Sequence, residues 1–114
     1  MGTQSELVVL WTSGDREQAM NMAFMYAYNS LARGWWEEVT LIVWGPSARL
    51  LCQDAGLQEE IARMKEGGVN LLACKACADK YGLADELERL GVKVLYMGRA
   101  LTDYLQQGYR VLSV

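Results

Sequence analysis

Five short apolar runs punctuate the chain, at residues 7–11, 39–44, 69–73, 92–96 and 109–114. The first, Leu7 to Trp11, is apolar at every position and carries β-branched residues, which predicts a strand covered on both faces; the other four predict strands as well. The segments between them predict helices. Residues 16–33, rich in Ala, Met, Glu and Gln, follow the capping candidates Thr12, Ser13 and Asp15 and stop at Gly34. Pro46 opens a short helix carrying Ala48, Leu50, Leu51 and Cys52, which Gly56 breaks. Leu57, Ile61 and Met64 stand at i, i+4 and i+7 in a helix over 57–65. Residues 74–82 predict one or two turns capped by Gly82, residues 83–90 another helix, and 99–107 a last one with Ala100, Leu101, Tyr104 and Leu105 on one side. No linker, repeat or low-complexity stretch interrupts the series, so residues 1–114 are expected to form a single α/β domain.

Strands alternating with helices imply a five-stranded, mostly parallel sheet with right-handed crossovers, in a three-layer α/β/α sandwich of flavodoxin-like topology. With the strand order 2-1-3-4-5, the reversal where ligands gather falls between the first and third strands. The loops expected to meet there carry Thr12, Ser13 and Gly14 on one side and Cys74, Lys75 and Cys77 on the other. The first helix is apolar nearly all round: Met20, Phe24, Ala27 and Leu31 form one stripe, while Met22, Met25, Tyr26 and Tyr28 occupy other faces. A second apolar side predicts contact with another copy of the chain; the plainer alternative is a half-exposed edge of the core.

Composition removes most catalytic classes. Of 114 residues 52% are apolar, three are cysteines (Cys52, Cys74, Cys77) and none is histidine. Ser-His and Cys-His pairs and imidazole ligands are therefore excluded, and three thiols fall short of a zinc site unless a carboxylate or partner chain completes it, so no metal is expected. Eleven Lys and Arg against 14 Asp and Glu, with no basic run, disfavour nucleic acid. An odd, low cysteine count is no disulfide framework and suits a reducing compartment. Residues 1–6 lack the basic region of a leader and the myristoylation pattern, and the apolar run after them is too short to span a membrane. A soluble, cytoplasmic protein without cofactor is expected.

What chemistry remains is that of sulfur. A thiol of pKa about 8.5 is only about 3% ionised at pH 7, but a strand-to-helix position favours the thiolate, and Lys75 adds a positive neighbour to Cys74. A thiolate formed in advance needs no histidine base. The alternative is that Cys74 and Cys77 are small hydrophobes at the top of the core; Cys52, beside Leu50 and Leu51, reads as packing. The Cys-x-x-Cys spacing admits a thiol redox pair, although the only proline, Pro46, stands in a helix-start context. Thr12, Ser13 and Gly14 offer hydroxyls and amides to a phosphate, as in a flavin site, but Asp15 and Glu17 bring negative charge to the same place.

The segment Gly68-Val69-Asn70-Leu71-Leu72-Ala73-Cys74, with Gly82-Leu83 beyond it, and the segment Gly45-Pro46-Ser47-Ala48-Arg49-Leu50-Leu51 resemble the DsrE/DsrF-like family, strand by strand over essentially the whole chain. The resemblance implies that Cys74 carries sulfur as a persulfide, taken from a donor protein and passed to an acceptor. It also implies a trimer or hexamer. Cys77 and the charged loop Asp15-Arg16-Glu17 stand outside the family's pattern. The function expected is a sulfurtransferase-like carrier, with Lys75 steadying the anion and Cys77 resolving the persulfide or accepting its sulfur. The alternatives are a non-catalytic oligomeric or regulatory module, a thiol redox protein using Cys74 and Cys77, and a flavin or nucleotide binder.

Overall fold

A computed structural model describes residues 5–114; the reading of the extreme N-terminus as leaderless falls on residues 1–4, outside the described residues. Five strands, β1 (Glu6–Trp11), β2 (Glu38–Val43), β3 (Asn70–Cys74), β4 (Lys93–Leu95) and β5 (Arg110–Ser113), form one all-parallel sheet. The expected class is present, flanked by helices on both faces, but the strand order is β4-β3-β2-β1-β5 rather than 2-1-3-4-5. Both orders bury the same apolar runs, so periodicity along the chain cannot choose between them. In the observed order three successive right-handed crossovers step the same way and deposit their helices on one face. Only the last connection turns back, carrying its helix over the other face.

That correction moves the reversal. It lies between β1 and β5, and β2 now separates β1 from β3. The crevice at the reversal is laced shut by backbone: Val114 N donates to the Leu10 carbonyl (2.9 Å), and Thr12 N to the Val114 carbonyl (2.8 Å).

The first helix runs from α1 (Arg16–Gln18) through a π-helical stretch, Ala19–Phe24, into α2 (Met25–Ala32). It is followed by α3 (Pro46–Gln53), α4 (Ala55–Glu66), α5 (Lys75–Tyr81), α6 (Ala84–Arg89) and α7 (Met97–Gln106). Pro46 at the first helical position and the Asp54 carboxylate, which accepts from Leu57 N at 3.0 Å, set the starts of α3 and α4. Ala19, Ala23, Phe24, Leu51, Leu57, Ile61, Met64 and Leu87 pack on Leu7, Val9, Trp11, Leu41 and Val43 in the larger core. The opposite face meets α7 alone, where Val8, Ile42, Cys74 and Met97 form a smaller cluster. Among the described residues no helix is long and apolar enough to cross a membrane.

Candidate functional site

The apolar run that makes β3 ends at Cys74, and Lys75-Ala76-Cys77-Ala78 supplies residues that continue as helix, so the chain turns from strand to helix at the thiol itself. Cys74 is the N-cap of α5, with extended φ and ψ of −71° and 117°. Gly82, at φ 70°, ends that helix in the left-handed conformation glycine adopts without a Cβ penalty. Along β3 the side chains alternate: Ala73 faces the larger core, while Cys74 turns to the α7 side with Val8, Ile42 and Met97 and is 5% exposed.

Cys77 lies one turn further on, half-buried and packed against the same small cluster. Burial pushes its thiol up, and the neighbouring Cys74 thiol adds to this, while the Gly45 N–H, directed at the sulfur, works the other way. Gly45 adopts φ 77°, and Pro46 then starts α3. The turn is fixed by the wholly buried Ser47, whose Oγ donates to the Trp11 carbonyl (2.7 Å) and accepts from Trp44 N (3.1 Å). The loop after β2 therefore fills the place between the other two loops that the expected strand order had left open.

Lys75, next to the thiol in sequence, has partners of its own. Its Nζ is 2.9 Å from an Asp79 carboxylate oxygen and lies over the Tyr96 ring, 5.6 Å from the centroid. The Asp79 hydrogen bond, more than its charge, holds the ammonium above the ordinary lysine value. Tyr96, 66% exposed, follows Leu95, which is paired in register with Cys74, so Lys75 and Tyr96 form the rim of this end of the sheet.

In the first loop each hydroxyl has a structural partner. Thr12 Oγ1 donates to the Val114 carbonyl (3.2 Å), Ser13 Oγ accepts from Asp15 N (3.0 Å), and Asp15 caps α1 by accepting from Glu17 N (2.8 Å) and Gln18 N (3.2 Å). Gly14 faces Pro46: a Cβ built on it would lie 3.4 Å from the proline ring. Gly14 thus meets the second loop at Pro46, while Thr12 and Ser13 bond to Val114 and Asp15. Cys52 sits apart on α3, in a surface depression of about 540 Å³ lined by Arg49, Tyr81, Glu86 and Arg89. Burial, then the Glu86 charge, pushes its thiol up. Among the described residues no group of three Cys, Asp or Glu side chains converges as a metal site.

Gly45, Ser47, Asp79 and Tyr96 were not singled out by sequence reasoning as parts of this site. Gly-Pro directly after an apolar run is the one signal that pointed to the first two; the Asp79 pairing was visible only as an i, i+4 spacing from Lys75.

Fold and site together define a small parallel α/β protein with a cysteine at the carboxyl end of a sheet strand. The chain belongs to the DsrE/DsrF-like family, whose model matches residues 6–114. It is similar over its whole length to a solved structure of a conserved protein of unknown function, BT1422, from Bacteroides thetaiotaomicron. That match has 39% identity and a TM-score of 0.96, and covers 98% of that chain. The fold is shared with a protein of unknown function, MTH1491, from Methanobacterium thermoautotrophicum (16% identity, TM-score 0.80, 97% of this chain and 100% of that one). It is shared also with the ychN protein from E. coli (14% identity, TM-score 0.74, 98% and 100%). No curated protein matches the chain in sequence.

Proposed function

We propose that this protein carries sulfane sulfur on Cys74. The observation that carries the reading is the placement of that thiol at the strand-to-helix junction of β3 and α5, in a chain of the DsrE/DsrF-like family. In the reaction the Cys74 thiolate attacks the outer sulfur of a donor persulfide, R–S–SH, forming Cys74–S–SH and expelling R–S⁻. An acceptor thiolate then attacks the outer sulfur, takes it as R′–S–SH and returns Cys74 as the thiolate. No histidine is required, because each nucleophile enters as an anion and each leaving group departs as one. The exposed Met22, Met25 and Trp35 around the first helix suit contact with further copies of the chain in a trimer or hexamer, and the rim of Lys75 and Tyr96 suits the donor and acceptor proteins.

Incubation with glutathione persulfide, read by peptide mass spectrometry, tests the proposal. With Cys77 replaced by serine, so that sulfur stays where it lands, one added sulfur atom is expected on the peptide holding Cys74. None is expected with Cys74→Ser. Absence of added sulfur in the Cys77→Ser chain overturns the reading.

A further inference from the structure

Cys74 and Cys77 occupy the N-cap and N3 positions of one helix turn. An N-cap residue in the extended conformation turns its side chain back over N3, the arrangement by which capping side chains reach that position. The two thiols are hydrogen-bonding neighbours; side chains three apart on a helix stand about 5–6 Å apart at Cβ and a disulfide needs about 3.5–4.5 Å there, so the pair is bridged once the two Cβ atoms approach by about 1–2 Å. The Cys74 sulfur is not engaged in capping: it makes no hydrogen bond to the first-turn backbone. Both sulfurs belong to one apolar cluster, whereas Cys52 lies on α3 in a separate depression.

We infer that Cys77 is a resolving thiol: once Cys74 holds a group in persulfide or mixed-disulfide linkage, the Cys77 thiolate attacks the Cys74 sulfur, closes a Cys74–Cys77 disulfide and expels the group. The Cys77 proton goes to solvent, one S–S bond breaks and one forms. With a persulfide on Cys74 the sulfane sulfur leaves as hydrosulfide, reduced by two electrons, and the two thiols are oxidised to the disulfide. A dithiol reductant reopens the pair by the same exchange chemistry. The Gly45 N–H near the Cys77 sulfur favours the attacking thiolate where burial opposes it. Only the identity of the expelled group rests on the reading of Cys74 as a sulfur carrier; resolution itself does not.

The test supplies no sulfane sulfur. In a Cys52→Ser chain, one equivalent of dithiodipyridine is added, and thiopyridone release is followed by absorbance with intact mass as the second readout. Two thiopyridones per chain are expected, with no pyridyl adduct and a mass lower by two hydrogens. Adding Cys77→Ala is expected to halve the release and leave a lasting adduct on Cys74. If the Cys52→Ser chain, with both thiols intact, stops at one thiopyridone with the adduct in place, the inference is overturned. That outcome leaves sulfur uptake by Cys74 standing, while failed uptake in the persulfide experiment leaves resolution standing.

Discussion

The two faces of the sheet are built to different rules. On the face that meets α1 to α6, every inward residue of the three central strands is apolar: Leu7, Val9 and Trp11 on β1, Val39, Leu41 and Val43 on β2, Leu71 and Ala73 on β3. On the α7 face the same strands run from polar to apolar. Glu6 and Glu38 stand opposite one another at the amino end, and Thr40 and Asn70 pair in register one step in, with Asn70 Nδ2 3.4 Å from Thr40 Oγ1. Val8 and Ile42 follow, and Cys74 closes the carboxyl end. The larger core buries even two polar atoms without a partner among the described residues, Trp11 Nε1 and Ser30 Oγ. One face is thus committed to holding the fold, and the face with a single helix over it has room for ionisable and nucleophilic groups.

Truncation separates the two most sharply. Phe24, which meets Trp11 edge to face at 4.8 Å, should cost about 3–5 kcal/mol as Phe24→Ala, and Met97→Ala, beneath the single helix, about 2 kcal/mol, both read by urea unfolding. Equal losses would mean that the faces share the stability evenly. A smaller effect is expected at Gly45, where φ of 77° disfavours any Cβ although the space around it is open. At φ 77° and ψ −140°, a region that only glycine readily adopts, Gly45→Ala should destabilise by about 1–3 kcal/mol. It should also slow the second thiopyridone release while leaving the first unchanged, which would show that the turn serves Cys77.

The smallest effect lies at the polar end of the α7 face. Burial first, then the hydrogen bond and charge of Glu6, hold the Glu38 carboxyl above the ordinary glutamate value. A carboxyl raised on folding favours the folded state while protonated, and that contribution is lost as pH climbs through its folded value. Glu38→Gln should therefore be more stable than the parent at pH 7 and lose that advantage below about pH 4, where glutamate is protonated in the parent too. Glu38 is exposed, so the gain belongs at the low end of the roughly 0.2–1 kcal/mol seen for facing charges, and should shrink in salt. Thermal melts at the two pH values measure it.

How much of this was legible in the sequence follows from range. The strands, the helices and the position of Cys74 were readable because consecutive apolar residues, Pro46 and Gly82 act on their own neighbourhood. The strand order was not, since Leu7, Leu41 and Leu71 bury equally well in either arrangement. The error had a consequence at the site: the first loop was placed against the thiols, where Gly45 of the second loop in fact stands. The pairing of Lys75 was not read, because its nearest charge, Asp79, is one helical turn along its own helix and Tyr96 is brought over it from just beyond β4.

The π-helical stretch at Ala19–Phe24 bears on how such a chain can change length. Each of its turns encloses one residue more than an α-helical turn, so it amounts to an α-helix that has taken in a single extra amino acid without shifting what lies before or after. The surplus is absorbed between the exposed residues 16–18 and the stretch 25–32, which buries Ala27 in the larger core. A relative one residue shorter at this point can keep the same sheet, the same buried Ala19 and Ala27, and an unbroken α-helix. A one-residue deletion within residues 19–24 is therefore expected to be absorbed inside the first helix and to leave Cys74, on the other side of the sheet, where it is.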